Sequence, residues 1–322
     1  MNLIKFHRHI ALCVGFVVTI ASSFAQTDQD AIMMNKNQFC TGLMYGTDSW
    51  NKYWEGTNHR ENLNLGTISS KSLSVMGNYG IKDNLNFLFN TPYISNKASA
   101  GTLHSIAGIQ DLSAWLKWMP IEKDLKHGTF SLYVLAGASA PLNDYIVDYL
   151  PLAIGFKSST ASGRLMLDYQ LGDFFATASE TYTIRGNSQT ERNAYYTTVM
   201  NLSNQIAMPD VNTLHFRAGY RTSWLIAEAT LTDTKTLGGF DITKNNMPFP
   251  SNRMNSTSVG VNIKYEIPKV FGLSLIGGGN HVIQGRNVGQ STAYYGGLFY
   301  ILDFSKKVKK KKESTNSSTE KK

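Results

Sequence analysis

The most constraining feature of this chain is a period-two alternation of side chains that returns repeatedly between residues 36 and 304. In 258–267, Val259, Val261, Ile263, Tyr265 and Ile267 fall on one side; Ser258, Gly260, Asn262, Lys264 and Glu266 fall on the other. In 164–171, Leu165, Leu167, Tyr169 and Leu171 oppose Arg164, Met166, Asp168 and Gln170. Segments 85–90 and 214–221 repeat the pattern, the latter setting Leu214, Phe216, Ala218 and Tyr220 against His215, Arg217, Gly219 and Arg221. Successive side chains of a strand point to opposite faces, so each segment predicts a strand with one apolar and one largely polar face. After the first 25 residues no run of 18 consecutive apolar residues occurs, which excludes a transmembrane helix there.

Twelve such segments are predicted, at 36–47, 65–81, 85–97, 109–120, 129–142, 157–171, 174–186, 194–206, 212–232, 255–267, 273–286 and 291–304. Near Trp224 the alternation slips phase, which predicts a bulge. The connections at 82–84, 122–128, 172–173, 207–211 and 268–272 are short. Those at 48–64, 98–108, 143–156, 187–193, 233–254 and 287–290 are mostly longer. A soluble sandwich has no reason to alternate short and long links, whereas an outer-membrane barrel has tight periplasmic turns and longer external loops. The expected fold is therefore all-β, a transmembrane antiparallel up-and-down barrel of about twelve strands over residues 36–304. Alternation alone does not say which face meets solvent. The 16 Tyr and 16 Phe suit interfacial girdles and favour the membrane version.

The ends of the chain agree. Lys5 and Arg8 precede an apolar run from Ile10 to Ile20, and Ser23-Phe24-Ala25 is a small-x-small site. Residues 1–25 read as a cleavable export signal. Residues 26–35 are expected either to fold into the lumen as a plug or to remain a periplasmic leader. Of the net charge of +8, the signal carries +2 and the lysine-rich tail 305–322 carries +6, so the barrel region is neutral. A neutral body offers no basic face to phosphates, which argues against a nucleic-acid partner. The tail reads as a solvated, disordered extension. Cys40 stands alone once the signal is removed, so no internal disulfide is expected. Tyr300, Leu302 and Phe304 end the last strand on an aromatic residue. That ending resembles the sorting signal of outer-membrane barrels, although the tail follows it here. The implied partners are outer-membrane lipid and the barrel-insertion machinery.

One stretch is more specific. Tyr79-Gly80-Ile81-Lys82-Asp83-Asn84-Leu85 leads to Asn90-Thr91-Pro92-Tyr93, and Gly108-Ile109-Gln110-Asp111-Leu112 runs into Ala114-Trp115-Leu116-Lys117-Trp118. Together they resemble the outer-membrane channels named for the meta-pathway of phenol degradation, distant relatives of the long-chain fatty-acid transporters. The resemblance is clearest over 65–142. The family often has Gly-x-Gly-Asp where this chain has Gly108-Ile109-Gln110-Asp111. The resemblance implies passive passage of a small hydrophobic ligand. The Asn- and Tyr-rich texture is similar to that of Bacteroidetes-type outer-membrane proteins.

By alternation, Asp111, Lys117, Arg164, Asp168, His215, Arg217, Arg221, Lys264 and Glu266 are candidate lumen-lining residues. Ionisable groups inside a membrane protein are candidates for function; the competing reading is that they pair with one another and fill a narrow lumen. Twelve strands fall between a barrel filled by side chains and one that holds a wide channel. Phe240, Met247 and Phe249 mark the loop 233–254 as a candidate lid. No Gly-x-Ser-x-Gly, His-Glu-x-x-His or Walker motif is present, and the histidines lack metal-ligand spacing. No catalytic residue, metal or cofactor is expected. The function that follows is passive uptake of small, mostly hydrophobic compounds across the bacterial outer membrane. The alternative is a non-transporting structural, adhesive or receptor barrel acting through its loops.

Overall fold

In the computed structural model, which describes residues 27–243, 247–268 and 270–305, the alternating segments form a closed antiparallel barrel. Its twelve strands are β1 (Gln38–Trp50), β2 (Ile68–Lys82), β3 (Leu85–Ala98), β4 (Asp111–Leu125), β5 (Gly128–Pro141) and β6 (Thr160–Leu171), followed by β7 (Phe174–Arg185), β8 (Val211–Arg221), β9 (Leu225–Thr236), β10 (Asn255–Glu266), β11 (Leu273–Arg286) and β12 (Thr292–Asp303). Each strand pairs with the next. The ring closes through β1, where Gly42 lies opposite Met76 of β2 on one side and Phe299 of β12 on the other. Closure leaves no unpaired edge, which a structure embedded in lipid requires.

The apolar face points outward. Val261 and Ile263 are 59% and 53% exposed, while Lys264 beside them is 3% exposed. Leu165, Leu167, Phe216 and Phe87 also face out, and Arg164, Asp168, Arg217 and Asn86 face in. A soluble sheet has the opposite polarity. An apolar exterior and a polar interior are the arrangement of a membrane barrel.

Five short connections, 83–84, 126–127, 172–173, 222–224 and 267–272, gather at one end, where Gln38 pairs with Asp303. At the turn 172–173, Gly172 takes φ +59°, a conformation that costs glycine little. The opposite end carries 51–67, 99–110, 142–159, 186–210, 237–254 and 287–291. The loop 142–159 turns into the mouth there. It buries Val147, Leu152 and Ile154 against Ile68, Ile94 and Ile106, and Asn96 Nδ2 donates to the carbonyls of Leu152 and Ala153, both at 3.0 Å.

The structure corrects two expectations. Segment 194–206 is not a barrel strand. It lies in the long loop 186–210, in a small hairpin pairing Tyr195–Tyr196 with Met200–Asn201, and the linker 207–211 is not a turn. Conversely, 212–232 is two strands, β8 and β9. The phase slip at Trp224 is a tight turn rather than a bulge, closed by Thr222 N–H donating to the Leu225 carbonyl at 2.8 Å. The turn contains no Gly, Pro, Asn or Asp. Thr222 Oγ1 supplies the local bond by accepting from Leu225 N at 3.1 Å. Residues 1–26 and 306–322, which carry the expected export signal and lysine tail, lie outside the described residues.

Candidate functional site

The lumen holds the residues that precede β1. From Thr27 to Met34 the chain lies inside the barrel wall, its turn organised by Asp30; the exposed Asn35 and Lys36 reach the short-turn rim, where Lys36 N donates to Asp83 Oδ1 at 2.9 Å. The Asp30 carboxylate accepts from Thr27 N at 2.6 Å, Thr27 Oγ1 at 3.1 Å and Ile32 N at 3.2 Å. This short-range folding turns several backbone carbonyls outward, toward the wall.

Cations from the wall meet them. Lys117 of β4 is fully buried, and its Nζ donates to Asp30 O at 2.6 Å and Ile32 O at 2.8 Å. Asp30 Oδ1 at 3.2 Å and Thr27 O at 3.3 Å complete the set. Arg164 of β6 donates through Nη1 to Asp28 O at 2.5 Å and Asp28 Oδ2 at 3.1 Å. Its Nε reaches Thr181 Oγ1 at 2.7 Å, and its guanidinium lies 4.7 Å from the Trp115 ring centre. Arg217 of β8 bonds Gln29 O through Nη1 and forms a two-point pair with Glu228 of β9. Asn262 Nδ2 then donates to Glu228 Oε1 at 2.7 Å. Tyr133 OH donates to Ala31 O at 2.9 Å. A buried ammonium or guanidinium is tolerated only when paired and hydrogen-bonded, and here the segment supplies partners for three of them.

Apolar contacts fix the segment at three further points. Ala31 and Met33 pack with Tyr133, Leu135 and Met166; Ile32 with Phe175 and Ile226; Met34 with Cys40, Phe299 and Ile301. The wall is shaped to receive it. A Cβ on Gly80 would sit 2.0 Å from Asn35 O, and Asn37 N donates to Gly80 O at 2.8 Å. Cavities flank the segment. One of about 320 Å³ faces the loop end, bounded by Gln29, Met44, Met76, His215 and Tyr295. Another of about 500 Å³ faces the turn end, bounded by Ile32, Met33, Glu122, Gln170 and Arg221. A side cavity of about 180 Å³ runs between Asp28, Leu88, Trp115 and Phe299.

The comparison with solved structures bears on this architecture. The COG4313 outer membrane channel from Pseudomonas putida F1 superposes with a TM-score of 0.67 at 13% identity, over 86% of this chain and 100% of that one. The fold is that of an outer-membrane β-barrel. The autotransporter NalP translocator domain from Neisseria meningitidis (9% identity, TM-score 0.43, 85% of this chain and 90% of that one) is more distant in shape. So is the Pseudomonas putida toluene transporter TodX (9%, 0.38, 87% and 94%). No protein-family model and no curated protein matches the chain.

Within this outer-membrane barrel the expected lumen residues divide into four groups. Lys117, Arg164 and Arg217 hold the segment. Asp168 and Arg221 form a separate wall pair toward the turn end, with Nη1–Oδ2 at 3.0 Å and Nη2–Oδ1 at 3.2 Å, and Arg221 lies 3.8 Å over the Phe175 ring. His215 bonds Thr232 Oγ1 at 2.7 Å and borders the loop-side cavity, and Lys264 is buried in the same wall. Asp111 and Glu266 sit at the two ends instead. Asp111 accepts from Tyr145 OH at 2.6 Å at the mouth, and Glu266 ends β10 at the short-turn rim. Of the loop residues, Phe240 and Phe249 meet at a tilt with ring centres 6.1 Å apart, and Phe249 meets Tyr195 of the neighbouring loop at 5.4 Å. Met247 is 42% exposed beside them. Tyr300, Leu302 and Phe304 all face outward.

Sequence reasoning missed Asp28, Asp30 and Glu228. Glu228 was hidden by reading β8 and β9 as one strand; alternation restarted at Leu225 places it inward. Asp28 and Asp30 precede the first strand, where no alternation exists to orient them. Among the described residues no group of three or more His, Cys, Asp or Glu is arranged to hold a metal.

Proposed function

We propose that this protein is an outer-membrane channel for passive uptake of small, mostly hydrophobic compounds, with residues 27–37 as its gate. The observation that carries the reading is the segment's position, bonded to wall cations with cavities on both sides. A barrel filled for stability alone has no need to leave space on both faces of its filling. The outward apolar face supports residence in lipid, and the outward Tyr300, Leu302 and Phe304 suit recognition by an insertion machinery. The resemblance to phenol meta-pathway channels over 65–142 supports the hydrophobic substrate class.

Single-channel conductance in a planar bilayer tests it. Deletion of 27–36 should give steady conductance well above that of the intact chain. Silence in both forms would overturn the reading. It would favour a barrel acting through its loops, for which one observation speaks: Val199, Met200 and Leu202 in the loop 186–210 are 61%, 64% and 86% exposed.

A further inference from the structure

The inner wall is divided. From β12 through β1 to β3 it buries, among the described residues, no charged side chain and presents Phe299, Ile301, Cys40, Met44, Met76 and Leu88 beside the neutral Ser74, Asn78 and Asn86. From β4 to β10 it buries five cations, Lys117, Arg164, Arg217, Arg221 and Lys264, against two buried carboxylates, Asp168 and Glu228; Asp111, Glu122 and Glu266 stand at its two ends. Both carboxylates are engaged by wall arginines, Arg221 and Arg217. The counter-charges to Lys117 and Arg164 are Asp30 and Asp28, and both belong to the segment. Every hydrogen-bond acceptor of Lys117 Nζ in the lumen network also belongs to the segment.

A gate that leaves therefore removes the charges that make two buried cations tolerable. A neutral guest would not replace them, and a cationic guest would add repulsion. A carboxylate would restore the pairing, with two oxygens able to span donors as those of Asp30 do. Its apolar body would lie along the Met44, Met76 and Phe299 wall, where hydrophobic burial is favourable. Resting on the channel reading above, we infer that the guest that displaces the gate is a hydrophobic anion, an apolar body with one carboxylate head. Asp28 and Asp30 act as its internal stand-ins, so guest and gate compete for the same cations.

Cys40 reports on this competition. It is buried, packs with Met34 of the gate and borders the side cavity. Its rate of modification by a small charged thiol reagent should rise when the gate leaves. The intact protein in phospholipid vesicles is exposed to decanoate, decanol or decyltrimethylammonium at equal membrane loading. Decanoate should accelerate modification in a saturable manner by roughly tenfold, within the range usual for coupled sites. The other two should leave it near its basal rate. Lys117→Gln should raise the basal rate and abolish the decanoate effect. Equal acceleration by all three, or a preference for the cation, overturns the inference. A second measurement is independent of the labelling: the reversal potential of the chain lacking 27–36 in a KCl gradient should show anion selectivity. Conductance without anion selectivity would defeat this inference and leave the channel reading intact, whereas silence would defeat the channel reading itself.

Discussion

Lys117 on β4 touches Asp30 twice, through the backbone carbonyl at 2.6 Å and the carboxylate at 3.2 Å, across 87 residues of sequence. One side chain thus binds both the fold of the lumen segment and its charge. The carbonyl contact depends on the turn that Asp30 itself caps, so the carboxylate both shapes the segment and neutralises the wall. Replacing Lys117 by Met keeps the length and removes the charge. Breaking one side of a buried pair costs about 3–5 kcal/mol, because the remaining charge is left uncompensated. Here Lys264 and Arg217 also lie within the field of Asp30 and soften the loss. Lys117→Met should therefore open the channel, raising conductance toward that of the chain lacking 27–36. The double variant Lys117→Met with Asp30→Asn should depart from additivity, with a coupling on the order of 1–3 kcal/mol in thermal unfolding.

Gly80 tests the fit of the gate without altering a charge. A Cβ there would meet Asn35 O at 2.0 Å, and backbone has little freedom to give. Gly80→Val places a residue favoured in strands, so β2 should survive. The gate should not. The expected result is a barrel that keeps its heat-modifiable gel mobility while Cys40 becomes reactive. A protected Cys40 in a folded Gly80→Val barrel would show that the segment reseats elsewhere.

Most of the barrel was legible because a membrane strand has one apolar and one polar face, and period two exposes both. Val259, Val261 and Ile263 declared their side at once. The error at 194–206 arose because Tyr195, Tyr196, Val199 and Met200 are strand-forming types used in a loop hairpin. The matching error, one strand over 212–232, had a physical warning. At about 3.3 Å per residue it would be roughly twice the length that spans a bilayer. The lumen position of 27–34 was legible only as an alternative, since a polar segment carries no period. Yet the wall held a clue: Lys117, Arg164, Arg217, Arg221 and Lys264 outnumber the inward acids, and buried cations need counter-charges from somewhere. Those came from Asp28 and Asp30, and no spacing rule links them to strands so far along the chain.

The loop 142–159 is held in the mouth by burial rather than charge. Leu152 is fully buried against Leu65 and Ile68, and its carbonyl takes a bond from Asn96. Truncating a buried leucine to alanine costs about 2–5 kcal/mol. Because the loss falls on one loop, Leu152→Ala should leave the barrel's melting unchanged and make 142–159 sensitive to external protease in intact cells. Cleavage equal to wild type would show that other contacts hold the loop.

A pH dependence belongs to the neighbouring loop. Asp241 receives Arg286 Nε and Nη2 at 2.7 and 2.6 Å, and Asn287 Nδ2 at 2.7 Å. The Arg286 hydrogen bonds, the largest effect, hold its carboxyl down at about 2, below an ordinary value of 3.8. A depressed carboxylate stabilises its loop fully above its unfolded value, and that contribution fades as the folded value is approached from above. Asn287 Oδ1 in turn accepts from Gly56 N at 2.8 Å and Ile242 N at 3.0 Å, so the clip joins two loops. Hydrogen exchange at the Gly56 and Ile242 amides should be slower in wild type than in Asp241→Asn at pH 6. The difference should be flat down to about pH 4 and should shrink toward pH 2 as the carboxylate takes up its proton. Comparing the two proteins at each pH cancels the intrinsic rate of exchange. A difference that persisted undiminished at pH 2 would mean that the Asp241 charge is not its source; no difference at pH 6 would mean that Asn287 holds the loops alone and that the Arg286 pair is an exposed contact of little weight.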